Sequence, residues 1–384
     1  MPHIVVDHLD LPTLPATLEE MTFEFATTGE RGVVAARRGE YRFLLRFAPH
    51  AKGVLIKADK TTRIPKLSEI KRAMKALAAL TEATIVTSTI ESTRQEREYP
   101  NLKTPGFFAG EYGYTRPLWV EIGFGSGRHL LHQAKTHPEV DLIGIEIHKP
   151  SLEQTLGQCH LQELSNIFIL DADARLVMQT LESNSVQRIF LHFPVPWEKS
   201  PGRRIISKSF IDEAIRVLQP QGTLELRTDS DFYFNYAFET VLSLTQLHAA
   251  IAKNADIAIT SKYEDRWRRL RKDIFDLTLT NYEHSPLLER DISFAFDQAP
   301  SLSRFEALAA QGTFLYETFL IRIQETMPIS DEEGLVKLTM GPKGKPQQRY
   351  ILVRNGQISY YPEPPIATGE NRQAHETLKE LING

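Results

Sequence analysis

Three glycines and three acidic residues near the middle of the chain have types and spacings suited to binding a nucleotide-like ligand. The segment VEIGFGSGRH places the glycines in a loop between an apolar run and a helical pattern. Glycine lets the backbone turn tightly and brings main-chain N–H groups against a ligand at the start of a helix. One acid precedes this loop, and the other two follow the next two apolar runs, where carboxylates can meet at one edge of a parallel sheet. The glycines are Gly123, Gly125 and Gly127, and the acids are Glu121, Glu146 and Asp173.

Each of these features has an alternative explanation when it is taken alone. Asp173, in DADAR, stands where a helix N-cap is expected, and Glu121 could orient a neighbouring helix. The loop spacing is GxGxG rather than the GxGxxG of dinucleotide-binding loops, so NAD or flavin binding is the second interpretation. An ExGxGxG loop with acids after the second and third strands is the arrangement of S-adenosylmethionine-dependent methyltransferases. The combination therefore favours S-adenosylmethionine as the cofactor.

Two basic segments follow these acids along the chain. Residues 199–208, KSPGRRIISK, contain four Lys or Arg side chains and no acid, and residues 262–272 contain six against two acids. The whole chain has a net charge of −4, but phosphates are contacted locally, so the distribution of charge matters more than its sum. The segments are candidates for contacts with nucleic-acid phosphates, and a solvated helix face is the alternative.

The residues that could do chemistry follow apolar runs that alternate with helical patterns. These runs are 118–122, 140–148, 166–174, 186–193 and 223–229. Buried strands that alternate with helices indicate a parallel sheet covered on both faces. Residues 256–280 read as two further strands that bracket a basic loop or helix. We therefore expect an α/β fold with a largely parallel sheet.

The regions on either side of this sheet have a different composition. Residues 1–95 predict a β-rich accessory region, and residues 96–117, which are polar and rich in Pro and Gly, predict a linker. The methyltransferase domain is expected over residues 118–285. Residues 286–384 predict a small β-rich extension, in which an Asn-Gly pair between two alternating runs is a strong hairpin signal.

Length and composition restrict the class of protein. A chain of 384 residues with 41% hydrophobic residues is typical of a globular protein of two or more domains. No apolar run is long enough to span a membrane, and the start lacks a basic segment followed by an apolar core, so we expect neither a membrane anchor nor a secretory signal. Cys159 is the single cysteine, which excludes an internal disulfide. These features predict a cytoplasmic protein.

Residues 118–280 resemble the bacterial tRNA (guanine-N7-)-methyltransferases, which act on guanine 46 in the tRNA variable loop. The matching pieces, in the family's order, are VEIGFGSG, GIEIH, the acid of DAD, FPVPWEK followed by RR, RTDSDFYF, and SKYEDR. The resemblance implies a doubly wound, seven-stranded, Rossmann-like methyltransferase sheet, with which the strands above are consistent. It also implies an enzyme that uses S-adenosylmethionine and has tRNA as its partner. The two terminal regions lie outside the resemblance and are similar to the extensions of a long subset of the family.

The resemblance assigns roles to the motif residues. Glu121, Glu146 and Asp173 would contact the cofactor beside the three glycines. Lys199 of PWEK and Asp229 of RTD are implied as catalytic residues. For Asp229 the alternative is an N-cap for the helix DFYFNYAFET, and the two roles are compatible. The residues expected to bind the tRNA are Lys199, Arg203, Arg204, Asp229, Ser261, Lys262, Tyr263 and Glu264.

This chain departs from the family at Val195, because the family motif reads PDPW where this sequence reads PVPW. N7 of guanine carries a free lone pair and no proton, so its methylation requires no general base. A nearby carboxylate would stabilise the positive charge that develops on the purine, and its loss is expected to lower the rate without abolishing the reaction. Trp197 could stack on a base or could anchor the loop.

Two other functions are alternatives. An RNA-binding module of the same fold would have weak or lost catalysis, yet it would have no reason to keep the glycine loop and the cofactor acids. An NAD-dependent oxidoreductase would bind nicotinamide and no RNA. We expect no metal, because His129, His132, His148 and His192 have no ligand spacing and are interpreted as structural or surface residues. Basic residues near both termini suggest further tRNA contacts, with a solvated surface as the alternative.

Overall fold

A computed structural model of the chain describes residues 2–62, 67–90, 99–244, 248–256, 270–288, 292–297 and 300–384. The chain divides into two compact units. The terminal unit consists of residues 1–98 and 292–384, and the central unit consists of residues 99–291. The two ends of the chain therefore build one unit together, and the middle of the chain builds the other.

The N-terminal part of the terminal unit is an antiparallel sheet of seven strands with a helix on one face. The strands are β1 (His3–Val6), β2 (Ala16–Leu18), β3 (Met21–Ala26), β4 (Gly32–Arg38), β5 (Tyr41–His50), β6 (Gly53–Ala58) and β7 (Ile85–Ser88), in the spatial order β2-β3-β4-β5-β6-β1-β7. Helix α1 (Leu67–Leu80) buries Ile70, Met74 and Leu77 against this sheet. These side chains stand three or four residues apart and therefore share one face of the helix.

The central unit is a mixed sheet of eight strands with helices on both faces. The strands are β8 (Leu102–Lys103), β9 (Leu118–Ile122), β10 (Asp141–Ile145), β11 (Ile167–Leu170), β12 (Val186–His192), β13 (Leu218–Thr228), β14 (Ala249–Lys253) and β15 (Phe275–Thr280), in the order β14-β15-β13-β12-β9-β10-β11-β8. Strands β8 to β13 pair in parallel, and β15 pairs antiparallel with β13 and β14. The helices are α2 (Pro105–Gly110), α3 (Arg128–Thr136), α4 (Lys149–Leu161), α5 (Ala174–Thr180), α6 (Lys208–Val217) and α7 (Asp231–Leu242).

The predicted doubly wound, Rossmann-like α/β fold is confirmed, with two differences in its strands. Strand β8 and helix α2 lie within the segment expected to be a linker, and β8 adds an eighth strand beside β11. The strand next to β15 is β14, which precedes the segment 256–280 where two strands were expected; residues 257–269 lie outside the described part of the chain. Strand β8 has only two residues, which is too short for a strand signal. Strand β14, with the sequence AAIAK, is exposed along its whole length and consists mainly of alanine, a residue that is depleted in strands.

Alternation along the parallel strands decides which helical layer each side chain faces. Val120 of β9 joins the core formed with α5, α6 and α7, whereas Trp119 packs with Leu130 of α3 and Leu156 of α4. Because successive side chains of a strand point to opposite faces, Glu121 faces the same layer as Trp119. A carboxylate is thereby placed against the helix that begins at the glycine loop.

The C-terminal part of the terminal unit is an antiparallel sheet of five strands with two helices on one face. The strands, in sequential order across the sheet, are β16 (Thr313–Leu315), β17 (Phe319–Pro328), β18 (Gly334–Pro342), β19 (Gln347–Arg354) and β20 (Gln357–Tyr361), and the helices are α8 (Leu302–Ala310) and α9 (Gly369–Asn383). The predicted hairpin is confirmed between β19 and β20. Asn355 and Gly356 at its turn have φ angles of 52° and 69°, the left-handed conformation that a two-residue hairpin turn requires.

The two sheets of the terminal unit pack face to face. Phe25 and Val33 from the N-terminal sheet form one buried cluster with Leu335 and Tyr350 from the C-terminal sheet. The hydroxyl of Tyr350 donates a hydrogen bond of 3.0 Å to the buried carboxylate of Asp59. Since α1 covers the other face of the first sheet and α8 and α9 cover the other face of the second, the layers run helix, sheet, sheet, helix.

Candidate active site

The glycine loop after β9 adopts a backbone conformation that favours glycine. Gly123, Gly125 and Gly127 have φ angles of 69°, 53° and 70°, in the left-handed region that other residues rarely adopt. The N–H of Gly123 donates to the carbonyl of Ile145 at 2.8 Å, which holds the loop against the end of β10. A Cβ atom at Gly127 would lie 2.4 Å from Oγ1 of Thr155, so the close approach of the loop to α4 also excludes a side chain.

Glu146 follows β10 and ties the glycine loop to the end of that strand. Its Oε2 accepts from the N–H of Gly125 at 3.0 Å, and its Oε1 accepts from the N–H groups of Ile147 and His148 at 2.8 Å each. The residue is 9% exposed. A carboxylate can accept about four hydrogen bonds, so this arrangement fixes the orientation of Glu146 and leaves it able to accept from a hydroxyl.

Glu121 on β9 forms a buried pair with His129 on α3. Nδ1 of His129 lies 2.8 Å from Oε2 of Glu121, and both residues are less than 10% exposed. Burial disfavours the charged ring, but the attraction and hydrogen bond of Glu121, with a further contribution from Glu225, outweigh it and raise the pKa of His129 above its usual value. The first turn of the helix is therefore held to the strand by a buried hydrogen bond, and Glu121 favours the charged form of the ring.

A second His–Glu pair lies beside the first. Nε2 of His192, the last residue of β12, is 2.7 Å from Oε1 of Glu225 on β13. Burial raises the pKa of Glu225, and the hydrogen bond and charge of His192 outweigh that effect, so the net shift is downward. The rings of His129 and His192 are 4.8 Å apart, which makes a continuous row, Glu121–His129–His192–Glu225, across three neighbouring strands. We call these four residues the His–Glu row.

Asp173 follows β11 and caps α5. Its Oδ1 accepts from the N–H of Arg175 at 3.0 Å, so the helix-cap interpretation of this residue is confirmed. The Arg175 side chain returns to both carboxylate oxygens, at 3.0 and 2.9 Å. A further nitrogen of Arg175 donates to the carbonyl of Gly202 at 3.3 Å. Arg175 thereby links the third acid to the segment that follows β12.

The segment PVPW after β12 forms an exposed loop with an unusual backbone. Phe193 and Trp197 have φ angles of 50° and 40°, a conformation that bulky side chains rarely adopt and that clusters at functional sites. Val195 lies between them and is 59% exposed. Trp197 is 37% exposed, and the guanidinium of Arg203 lies over its ring at 4.8 Å from the centroid.

The predicted cations after this loop occupy two different environments. Lys199 and Arg203 are exposed. Arg204 is only 8% exposed: its guanidinium lies 4.7 and 4.4 Å from the ring centroids of Phe232 and Tyr236, and its Nε donates to the carbonyl of Pro196 at 3.2 Å. The structure therefore brings Lys199 and Arg203 to the surface and places Arg204 where it supports the loop.

Asp229 follows β13 and is not the cap of the next helix. Ser230 has that role, since its hydroxyl accepts from the N–H of Tyr233 at 3.2 Å. Asp229 instead accepts from Nζ of Lys272 at 2.8 Å and is partly exposed. The N-cap alternative for Asp229 is therefore wrong, because the residue after it supplies the capping oxygen. Four residues expected to bind tRNA lie outside the described part of the chain: Ser261, Lys262, Tyr263 and Glu264.

The predicted site elements that the structure describes lie at one edge of the central sheet. Each of five neighbouring parallel strands ends at one of these elements. Strand β9 is followed by the glycine loop, β10 by Glu146, β11 by Asp173, β12 by the PVPW loop and β13 by Asp229. The chain builds outward from β9 to β11 and then returns to the other side of β9 as β12. In open α/β sheets such a reversal leaves a crevice at the carboxyl edge, where ligands bind.

Several residues at this edge have contacts that sequence reasoning missed. Arg175 and Lys272 each pair with a predicted acid, and His129 and His192 pair with Glu121 and Glu225. Only Lys272 carried a signal, as part of the basic segment 262–272. Within the described ranges every helix is too short or too polar to cross a membrane, and no group of three or more His, Cys, Asp or Glu residues is placed to hold a metal ion.

Comparisons with known proteins identify relatives along the whole chain. The family model described as "Putative methyltransferase" matches residues 115–277. A protein of Wolinella succinogenes is 39% identical over 393 residues, which cover 100% of both chains. Proteins of Campylobacter fetus and Helicobacter pylori are 34% and 33% identical and cover 100% of this chain and 99% of their own. All three relatives are named tRNA (guanine-N(7)-)-methyltransferase.

Solved structures match only part of the chain. An rRNA methylase from Streptococcus thermophilus covers 44% of this chain and 88% of its own, with 11% identity and a TM-score of 0.33. A precorrin-6y C5,15-methyltransferase from Geobacter metallireducens covers 43% and 80%, with 17% identity and a TM-score of 0.33. The assignment therefore depends on the full-length relatives, whose likeness includes both terminal regions as well as the central unit. This chain belongs to the tRNA (guanine-N(7)-)-methyltransferase family.

Proposed function

We propose that this protein transfers the methyl group of S-adenosylmethionine to N7 of guanine 46 in the variable loop of tRNA. The observation that carries the proposal is the meeting of the glycine loop, Glu146 and the PVPW loop at the reversal point of the sheet. This edge has the glycine loop and Glu146 on one side and exposed cations, Lys199 and Arg203, on the other. The site is in the unit that contains the match to the methyltransferase family model.

The residues after β9, β10 and β11 fit S-adenosylmethionine. The left-handed glycines bring main-chain N–H groups to the ligand without a side chain in between. Glu146 would accept from ribose hydroxyls, and Asp173, which caps α5, would also accept from the adenine amino group. Ile147, beside Glu146, is 72% exposed and offers an apolar surface to a purine ring. When bound, the cofactor supplies an electrophilic methyl group on a sulfonium.

The side chains at the carboxyl ends of β12 and β13 orient the guanine and stabilise its charge. N7 attacks with its own lone pair, so no residue has to remove a proton before or during the step. Positive charge develops on the purine, and the carboxylate of Asp229 stabilises it and accepts from the base edge. Lys272 pairs with one oxygen of Asp229 at 2.8 Å and thereby orients the carboxylate. Val195 stands where the family motif has an aspartate. Its side chain carries no charge, so it contributes only to the shape of the loop.

The tRNA backbone lies along the exposed side of the PVPW loop. Lys199 and Arg203 bind the phosphates that flank the presented guanine, since both side chains reach solvent at this edge. Arg203 covers part of the Trp197 ring, and the exposed remainder of the ring is available for stacking. Arg204 acts indirectly, because it holds the carbonyl of Pro196 and so keeps the loop in place.

The protein carries out this reaction in the cytoplasm, where its tRNA substrate is found. Cys159 is fully buried in α4, and burial raises the pKa of its thiol to about 11. A thiol with such a pKa stays protonated and unreactive near neutral pH. The single cysteine is therefore compatible with a reducing compartment and has no part in the chemistry.

The alternative of an RNA-binding module with lost catalysis is less well supported. Such a module would need the cations after the PVPW loop. It would not need the hydrogen bond of 3.0 Å from the N–H of Gly125 to Oε2 of Glu146, which fixes the glycine loop. The three left-handed glycines are likewise of no use to a protein that binds RNA alone.

The test is transfer of a tritium-labelled methyl group to two tRNA transcripts that differ only at position 46. We expect 7-methylguanosine at position 46 of the transcript with guanine there, and no label in the transcript with adenine at that position. Mapping of the labelled nucleoside distinguishes N7 from other positions on the base. Label at any other nucleotide, or none on either transcript, would contradict the proposal.

A further inference from the structure

The terminal unit has an open groove of about 510 Å³ that no part of the proposed reaction uses. It lies where the edge of the N-terminal sheet meets β19 and β20, so both ends of the chain contribute to it. Its volume is within the range of roughly 300–1,000 Å³ that is typical of ligand sites. Its lining includes three cations and one anion, namely Arg37, Arg42, Arg354 and Glu24.

Glu24 holds the arginines in position without using all their donors. Its Oε1 accepts from Nε of Arg37 at 2.8 Å, and its backbone carbonyl accepts from Arg354 at 3.2 Å. Arg42 lies 4.0 Å from the same carboxylate oxygen, beyond hydrogen-bond distance. Among the described residues, none accepts from the terminal nitrogens of Arg37 or from any nitrogen of Arg42. The side chains of Arg37 and Arg42 are 40% and 52% exposed, so their donors face the groove and solvent.

The chemistry of the lining is suited to a phosphate group. Guanidinium groups bind phosphate oxygens with paired N–H donors, and the hydroxyls of Thr17, Thr22 and Ser359 add neutral donors at the same lining. Tyr360 and Tyr361 are only 7% and 5% exposed, so neither presents a ring face on which a base could stack. The groove is therefore built to bind a phosphate-bearing backbone and not to read bases.

We propose that this groove binds the phosphodiester backbone of the tRNA substrate, away from the nucleotide that is methylated. The proposal depends on the proposed function for the identity of the RNA. It gives the terminal unit a role as a sequence-independent anchor that increases affinity for tRNA. An anchor of this kind lowers KM for tRNA and leaves kcat at saturating tRNA unchanged, because it contacts no reacting atom.

The experiment compares the full-length protein with R37A/R42A and with the matched control Arg31→Ala. Arg31 is an exposed cation in the turn before β4, outside the groove, so its removal changes the charge of the same unit without changing the lining. Affinity for an unmodified tRNA transcript is measured by fluorescence anisotropy over a range of salt concentrations. Circular dichroism and thermal melting establish that each variant is folded. A parallel titration with inorganic tripolyphosphate tests for a small anion as the ligand.

We expect R37A/R42A to reduce the slope of log affinity against log salt by about 1 for each arginine lost, with weaker binding of every tRNA tested. We expect Arg31→Ala to leave the slope unchanged, and KM to rise in the double variant without a change in kcat. An unchanged slope in R37A/R42A overturns the proposal, and so does an equal loss in Arg31→Ala. Tight binding of tripolyphosphate that depends on Arg42, with an unchanged tRNA slope, assigns the groove to a small anion instead. If the protein binds tRNA through the groove but does not methylate guanine, the proposed function fails while the groove assignment stands.

Discussion

The central and terminal units use charged side chains in different ways. In the central unit, the ionisable groups beneath the sheet edge are paired: Glu121 and His129 are buried and 2.8 Å apart, and His192 and the partly buried Glu225 are 2.7 Å apart. In the groove of the terminal unit, Arg42 is half exposed and 4.0 Å from the nearest carboxylate. A buried charge without a partner costs several kcal/mol, so buried pairs fix geometry, whereas exposed cations remain available to a ligand.

The pair between β13 and β15 extends this contrast. Arg227 is 1% exposed, and one of its terminal nitrogens donates to both oxygens of Asp276 at 2.7 Å. The guanidinium also donates to the carbonyl of Ala255 at 3.0 Å. The central unit therefore uses this buried arginine to position backbone and strands, whereas the cations proposed to bind the substrate, Lys199 and Arg203, are exposed in the segment after β12.

The largest expected effect is in the glycine loop of the central unit. Gly127→Val places a Cβ 2.4 Å from Oγ1 of Thr155 at a φ of 70°, so we expect loss of detectable S-adenosylmethionine binding by isothermal titration calorimetry. Gly39→Ala in the terminal unit is the control: its φ is 54°, and no atom lies within 4 Å of the added Cβ. We expect it to cost about 1 kcal/mol of stability through backbone strain and to leave binding unchanged. Normal binding by Gly127→Val would contradict the assignment of the loop.

The next effect concerns the carboxylate at the end of β13. Asp229→Ala is expected to lower kcat by roughly 10²-fold, because it removes a group that stabilises charge in the transition state. The neighbouring variant Ser230→Ala removes the cap of α7 and should cost about 1 kcal/mol of stability while kcat is retained. Single-turnover methyl transfer and thermal melting measure the two quantities. Wild-type-like turnover by Asp229→Ala would exclude it as a catalytic residue.

A smaller, pH-dependent effect is expected in the His–Glu row. The pKa of His129 is raised, so the stabilisation from its pair with Glu121 is complete below the ordinary histidine pKa of about 6.5 and is lost as pH rises through the higher pKa of the folded protein. His129→Gln should therefore lower the free energy of unfolding by about 1–3 kcal/mol near pH 6, and the difference from wild type should shrink by pH 9. Urea unfolding at several pH values measures this difference.

The control for that experiment is on the same helix. His132→Gln removes an imidazole three residues away on α3 that makes no contact with Glu121, so its stability difference should not vary with pH in this way. A difference for His129→Gln that grows between pH 6 and pH 9 would show that the pair with Glu121 is not ionic.

The smallest effect is expected at Val195. The side chain is 59% exposed, so Val195→Asp should change stability by less than about 0.5 kcal/mol. It restores the aspartate of the family motif next to the proposed guanine site and should raise kcat a few-fold, with KM for tRNA little changed. Steady-state kinetics against Val195→Asn, which has a similar shape without the charge, separates the electrostatic effect. An equal gain in both variants would show that charge is not the cause.

Much of the central unit could be predicted because its signals are local. Buried parallel strands produce continuous apolar runs, and the left-handed turn at their ends requires glycine, so the doubly wound sheet and the glycine loop were expected from short segments. The strand β14 was not expected, because its sequence AAIAK consists mainly of alanine, which is depleted in strands, and all five residues are exposed. The alternative that made Asp229 the cap of α7 was wrong by one residue, since Asp229 and Ser230 are both capping types and only the backbone shows which oxygen reaches Tyr233.

By itself, the sequence determined the fold class of the central unit, the motif order that identifies the family, and the departure at Val195. Tertiary structure alone decided which charged side chains are buried. It buries Arg204 and leaves its neighbour Arg203 exposed, and it places the ring of His129 beside that of His192. It also brings the two chain ends together, so that Arg37 and Arg354 line one groove. The physical reason is that apolar periodicity is a property of neighbouring residues, whereas burial and ion pairing depend on residues that are distant in the chain and meet only in the packed protein.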